Sequence, residues 1–217
     1  MPGNESTPVS AVLRPLNPLI NSIPLLGLVL AGGGSERMGQ DKGRLCYHGT
    51  PQVLWLRRLL ADFCDSVYVS TNDKQRSSEL YADLPTVVDQ APDRGPAMGL
   101  ISAWEAVPGS AWLVVAVDMP FLDRGTLMAL VDGRNPAALA TAFQHPDGTL
   151  DPLCAIWEAA AQPALTERIQ AGDTSLRRCL EAGQIQVLQP PSSQALISVN
   201  SPAEYQDARR RLEDSAT

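Results

Sequence analysis

Residues 25–43 read LLGLVLAGGGSERMGQDKG, an apolar run that passes without a break into a stretch holding five glycines, one arginine and one lysine. A run of strand length that is apolar on both faces predicts a central strand covered on two sides, as in a parallel sheet flanked by helices. The loop that follows such a strand lies at the carboxyl edge of the sheet, where α/β folds bind their ligands. Gly32, Gly33 and Gly34 have no Cβ to hold the chain away, so successive backbone N–H groups can approach an anion. Arg37 can grip a phosphate as a planar fork and Lys42 can act as a mobile point charge. Gly34 and Gly39 have the Walker spacing, but Gln40 and Asp41 stand where Lys-Ser/Thr is required. The dinucleotide pattern begins at Gly32 and Gly34, and its third glycine would fall at Arg37. The stretch is therefore some other phosphate loop, or, on the plainer reading, a tight glycine turn with two solvated cations.

Outward from this stretch, apolar runs of strand length alternate with segments of helical period, which predicts an α/β fold. The strand candidates are 25–31, 66–71, 86–89, 111–117, 138–143, 151–157, 184–189 and 195–199. Helices are expected after Thr50-Pro51, from Pro96, after Asp123, after Asp173 and after Ser201-Pro202. His145, Pro146, Asp147 and Gly148 form a turn between two strand-like runs, so a hairpin is expected there and the sheet should be mixed, though mostly parallel. Residues 1–22 contain four prolines and no period. They are expected to form a poorly ordered extension, with one domain over 23–217.

Apolar residues make up 44% of the 217 and charged residues 19%, with a net charge of −7, so a folded core is expected and no basic footprint for nucleic acid or for an anionic membrane surface. Cys46, Cys64, Cys154 and Cys179 are scattered without metal-ligand spacing and read as small apolar residues. The first ten residues lack a positive leader segment, and the longest apolar run is far short of the ~20 residues of a membrane helix. A reducing cytoplasm is the expected compartment.

The run AWLVVAVDMPFL (111–122) predicts a second buried strand, ending in Asp118 at the same carboxyl edge as the glycine loop. One hard carboxylate is enough for magnesium, which keeps most of its waters and takes further oxygens from substrate phosphates. The plainer reading of Asp118 is a turn residue before Pro120. No Ser-His-Asp or Cys-His arrangement appears in the chain.

At this point a resemblance emerges. LAGGGSERMGQDKG (30–43) is similar, position for position, to the first signature of the molybdenum cofactor guanylyltransferases. DRGPAMGLISA (93–103) and VAVDMPFL (115–122) resemble the family's second and third segments. DPLCAIW, TSLRRCLEAG and VNSPAEY resemble its later ones, so the likeness runs from about residue 25 to 210. It implies a three-layer, Rossmann-like nucleotidyltransferase fold with helices on both faces of the sheet. It also implies transfer of GMP from GTP to the phosphate of molybdopterin, with pyrophosphate released. Arg37, Lys42 and Asp118 would be catalytic, with Mg2+ on Asp118. Nucleotide contacts would come from Leu30, Ala31, Gly32, Gly33, Lys42, Ser70, Asp89 and Asp118.

Asp41 before Lys42 favours the cofactor branch, where sugar and terpenoid-precursor enzymes have proline. Gly32, where the cytidylyltransferase sister group carries alanine, favours a purine. A CTP-dependent cytidylyltransferase is the alternative reading, and a non-catalytic nucleotide-binding homologue a lesser one. Asp93 stands four residues beyond Asp89 as a rival contact. By register Ser70 occupies the position of a family asparagine, with Asn72 two residues later. Asn200 reads equally as a turn former or as a contact, while His48 and His145 read as surface loop residues. Asp151, Leu153, Cys154 and Trp157 are candidates to border the second substrate. Transient contact with cofactor-biosynthesis proteins or apoenzymes is also implied.

Overall fold

The structure, a computed structural model, describes residues 23–32, 38–89, 91 and 95–215. Seven strands form one sheet in the order β3-β2-β1-β4-β6-β5-β7. They are β1 (Leu25–Leu30), β2 (Val67–Thr71), β3 (Thr86–Val88), β4 (Ala111–Ala116), β5 (Ala140–Gln144), β6 (Leu150–Trp157) and β7 (Gln186–Leu188). All neighbours pair in parallel except those of β6, which runs antiparallel to both β4 and β5. The expected hairpin is the cause of that reversal: Gly148 adopts φ 85° and donates to the His145 carbonyl at 2.9 Å, turning β5 back into β6.

Helices α1 (Gln52–Ala61) and α4 (Arg124–Asp132) cover one face. Val53, Leu56 and Leu60 of α1 share a core there with Leu25 and Val29 of β1, which Leu127 and Leu130 of α4 continue over β5 and β6. Helices α3 (Pro96–Ala106), α5 (Ala161–Gln170) and α6 (Leu176–Ala182) cover the other face, on Leu26 and Leu28. Successive β1 side chains therefore enter opposite cores, which is why its sequence shows no polar alternation. Gly27 lets α1 lie close, since a Cβ there would meet Leu60 Cδ2 at 2.9 Å. Short α2 (Asp73–Arg76) and carboxyl-terminal α7 (Pro202–Ser215) complete the fold.

Start signals behave as expected at Pro96, the first residue of α3, and at Asp123, whose carboxylate accepts the Thr126 N–H at 2.7 Å. Two expectations change. The flank of α1 is Pro51 with no side-chain cap, so Thr50 does not cap it. Residue Ser175 caps α6, accepting from Arg178, while Asp173 accepts the Ser175 N–H one turn earlier.

The eighth expected strand, 195–199, is not one. Ser193–Leu196 form a 3-10 turn instead, and the segment beyond it meets the sheet through one backbone bond, Val199 N–H to the Asp118 carbonyl at 2.8 Å. Buried Ala195, Leu196 and Val199 gave an apolar run that imitates a strand, with Pro190 and Pro191 just before it. Helix α5 was not among the helices expected, and it holds Pro163. That proline sits in the first turn, where no intrahelical N–H bond is lost. The expected extension over 1–22 lies outside the described residues.

The parallel ladders run on past the strands. Ala31 N–H donates to the Ser70 carbonyl at 3.0 Å, Val117 N–H to that of Leu30 at 3.1 Å and Asp89 N–H to that of Thr71 at 2.8 Å. The ends of β1, β2, β3 and β4 thus share one edge.

Candidate active site

Lys42 opens a 3-10 turn, Lys42–Arg44, whose cap is Asp41. From it the Lys42 ammonium donates to Asp118 Oδ2 at 2.9 Å and to Asn200 Oδ1 at 2.7 Å. The Lys42 and Asp118 side chains are each 18% exposed, largely withdrawn from water. An ammonium has three donors, so the Asp118 and Asn200 contacts leave one to face an anion. Asn200 reaches this point because Val199 is tied to the Asp118 backbone. Its own N–H and that of Ser201 are held by Glu204 Oε2 at 2.6 and 3.1 Å, the reciprocal cap of α7.

Asp118 Oδ1 is buried and has no hydrogen-bond partner among the described residues. The same is true of the Tyr47 hydroxyl. Burial first, then Tyr205, Asp118 and Glu204, push the Tyr47 phenol far above its usual range, so it stays a neutral donor beside that carboxylate. An orphaned carboxylate oxygen of this kind suits a hard cation. Among the described residues no group of three His, Cys, Asp or Glu stands ready to hold one. Asp118 alone, with oxygens from a substrate, is a donor set for a hard, oxygen-seeking divalent cation such as magnesium.

The β1 exit forms the facing wall. Leu30 is half-buried and Ala31 is 3% exposed, with its carbonyl accepting Gln75 Nε2 at 2.8 Å. Gly32 is buried beside β2, and its carbonyl lies 3.5 Å from Asn72 Nδ2. Among the described residues a Cβ on Gly32 would meet nothing nearer than 3.4 Å, and the Gly32 φ is not positive. Protein packing therefore does not require glycine at this position. Gly33, Gly34, Arg37 and Asp93 lie outside the described residues.

Ser70 is not brought to the cleft. It is 1% exposed, with its hydroxyl against Gly99 of α3 on the underside of the sheet. Asn72, at the tip of β2, is the polar residue that faces Gly32. Asp89 is 7% exposed at the β3 tip, with Oδ1 accepting the Ala91 N–H at 2.9 Å.

Of the residues considered for the second substrate, Cys154 and Trp157 are 0% and 1% exposed in the two cores, Leu153 is half-buried, and Asp151 is 6% exposed near the start of β6. Asp151 Oδ1 accepts from Leu153 and Cys154, and Oδ2 lies 3.2 Å from His145 Nε2. His48 is no loose surface residue. It stacks on Trp55 at 3.9 Å, with Nε2 2.8 Å from the Pro120 carbonyl, and burial lowers its pKa.

Sequence reasoning left Asn200 undecided and passed over Tyr47, Gln75 and Tyr81. For Asn200 the one available signal was VNSPAEY, read through the resemblance.

A mostly parallel α/β sheet whose carboxyl edge gathers a glycine-rich exit, a lysine and an aspartate with a free oxygen is the architecture of a nucleotide-handling enzyme. The chain belongs to the MobA-like NTP transferase family, whose domain pattern matches residues 27–188. It is 30% identical over 187 residues to the molybdenum cofactor biosynthesis bifunctional protein of Synechocystis, covering 86% of this chain but 54% of that protein. It is 32% identical over 186 residues to the molybdenum cofactor guanylyltransferase of Pseudomonas putida, covering 83% and 95% of the two chains. Among solved structures, molybdopterin-guanine dinucleotide biosynthesis protein A of Archaeoglobus fulgidus superposes with a TM-score of 0.73 at 20% identity, over 87% of this chain and 99% of that one. That likeness is one of fold.

Proposed function

We propose that the protein transfers GMP from GTP to the terminal phosphate of molybdopterin, forming a guanine dinucleotide and pyrophosphate. The observation that carries this reading is the meeting of Lys42, Asp118 and Asn200 beside the Gly32 exit. The names of full-length relatives such as the P. putida guanylyltransferase support the choice of substrates.

A phosphate oxygen of molybdopterin attacks the α-phosphorus of GTP. The new P–O bond forms as the bond from that phosphorus to the bridging oxygen breaks, and the electron pair leaves with pyrophosphate. The nucleophile is already an anion, so no side chain need take a proton. This agrees with the state of the two histidines, of which His48 is tied to a carbonyl and His145 to Asp151. What the chain supplies is position and positive charge. Lys42, already held by Asp118 and Asn200, points its remaining donor at the phosphates without reorganising, and Arg37 adds a planar fork. Asp118 would hold Mg2+ through its free oxygen, and the ion would neutralise charge on the triphosphate. Gly32, where the fold leaves room for a methyl group, would let a purine lie flat on the backbone. Asp89 and Asn72 would flank the nucleotide from the β3 and β2 tips.

Pyrophosphate release should be measured with GTP, CTP, ATP and UTP, with and without molybdopterin, in Mg2+. Release dependent on GTP and molybdopterin is expected. Preference for CTP would make the protein a cytidylyltransferase. Absence of pyrophosphate release with all four nucleotides, alongside intact folding, would overturn the reading.

A further inference from the structure

Behind Lys42 lies a set of hydrogen bonds that the transfer reaction does not use directly. Both oxygens of Asp41 are engaged. Oδ1 accepts the Gly43 N–H at 2.9 Å and Gln75 Nε2 at 3.1 Å, and Oδ2 accepts the Tyr81 hydroxyl at 2.8 Å. Gln75 Nε2 also donates to the Ala31 carbonyl at 2.8 Å. The orientation of the Gln75 amide is fixed from behind, because its Oε1 accepts the Asn72 N–H at 3.1 Å while Asn72 Oδ1 accepts that of Gln75 at 2.9 Å. One amide therefore joins the exit of β1, the cap of α2 and the turn that bears Lys42.

The Tyr81 ring is 1% exposed and packs in the core with the α1 side chains. A phenylalanine would fill that space, and a buried hydroxyl costs free energy unless it is bonded. Here its partner is the cap residue directly before Lys42. Burial and then Asp41 push the phenol far above its usual range, so it remains a donor throughout the working pH range. The fit is tight, since a Cβ on Gly43 would overlap the Tyr81 hydroxyl.

We propose that Tyr81 is a positioning residue, which through Asp41 and the Gly43 N–H sets the 3-10 turn so that the Lys42 ammonium falls between Asp118, Asn200 and the nucleotide phosphates. This rests on the role given to Lys42 above. Removing the hydroxyl leaves Asp41 Oδ2 without its donor and frees the turn to rotate. A displacement of about 1 Å at a positioned group can cost up to ~10² in rate.

The variant Tyr81→Phe is expected to lower kcat for pyrophosphate release about tenfold, with KM for GTP changed less than about threefold. In a Lys42→Met background the same substitution should have no further effect, because the hydroxyl acts only through that lysine. A second readout does not depend on the reaction. The chain has two lysines, Lys42 and Lys74, so 13Cε-lysine labelling gives separate signals, and in Tyr81→Phe that of Lys42 should move towards the exposed Lys74 position. An equal further fall in the Lys42→Met background, or an unmoved Lys42 signal, would overturn the proposal. Should Tyr81→Phe fail to fold, Gly43→Ala, which keeps the phenol in the core and pushes it off Asp41, should give the same Lys42 shift, and an unshifted signal would again refute it. If the unmodified protein releases no pyrophosphate from any nucleotide, the proposed reaction fails, and the lysine signal still decides the role of Tyr81.

Discussion

Replacing Lys42 with methionine keeps the length of the side chain and removes its charge, and two costs can be set against each other. In the folded state the variant loses the 2.9 Å contact to Asp118 and the 2.7 Å contact to Asn200. A buried hydrogen bond to a charged group contributes about 1.5–3 kcal/mol, and an exposed ion pair about 0–1 kcal/mol. At 18% exposure of each side chain the loss lies between, at ~1–2 kcal/mol, which for a chain of this size lowers Tm by roughly 2–8 °C. In the transition state a preorganised donor at developing charge is worth ~10²–10³ in kcat, or about 2.7–4 kcal/mol. The kinetic cost should exceed the thermodynamic one. A protein with a stability of about 5–15 kcal/mol also remains folded after losing two. Steady-state pyrophosphate release at 25 °C, with thermal melts on the same preparation, checks both numbers. Turnover within threefold of the unmodified protein would remove Lys42 from the reaction. A fall in Tm above ~10 °C with turnover tracking the folded fraction would make its role structural.

Asp118→Asn retains an acceptor for Lys42 but lacks the anionic oxygen for a metal, so Mg2+-dependent release should fall by at least about 10² with Tm nearly unchanged; normal release would exclude the carboxylate as metal ligand. Gly32→Ala meets no atom of the described residues nearer than 3.4 Å, so it should leave Tm unchanged and raise KM for GTP several-fold, and an unchanged KM would show that no base packs there. Glu158 is 0% exposed and paired with Arg134 through two bonds of 2.7 and 2.8 Å. Glu158→Ala strands a guanidinium and should cost ~3–5 kcal/mol in urea unfolding, against little change if the pair is neutral to stability. His48 has its pKa lowered by burial, so the unfolded chain binds its proton more readily. The His48 contribution is intact above the ordinary imidazole value of about 6.5 and is lost as pH falls below it. His48→Phe should therefore flatten the acid side of the Tm profile, and an unaltered profile would show that His48 does not charge on unfolding.

Much of the architecture was legible because the strands that carry it are buried on both faces. Leu25–Leu30 and Ala111–Ala116 place side chains in two cores at once, and no surface helix combines such length with such apolarity. The turn at Pro146-Asp147-Gly148 was legible for a local reason too, since its glycine takes a positive φ. The misreadings come from tertiary context. In 195–199 the apolar Ala195, Leu196 and Val199 are buried, although the segment does not join the sheet. Helix α5 starts after Ala160 without a side-chain cap, so the sequence offers no start signal for it. Cys154 and Trp157 lie further along β6 than Asp151, and their depth follows from the antiparallel direction of that strand, which composition cannot reveal.

The site divides in the same way. Asp118 could be picked out because it follows closely on a strand, and Lys42 because it is the lysine of the glycine-rich stretch that leaves β1. Asn200 lies 158 positions from Lys42 in the chain and arrives by a route with no local pattern, a backbone bond from Val199 to Asp118 followed by the cap of α7. Tyr81 and Gln75 are hidden for a different reason. Neither touches the cleft, and their effect on Lys42 passes through Asp41, a residue the sequence offers simply as the neighbour of the lysine. A charged residue announces itself by its type, whereas the groups that aim it are ordinary polar residues whose meaning is in their partners. The aim of Lys42 thus depends on contacts made 34 and 40 positions away from Asp41, and removing a single phenolic hydroxyl from the core should be felt at the phosphates.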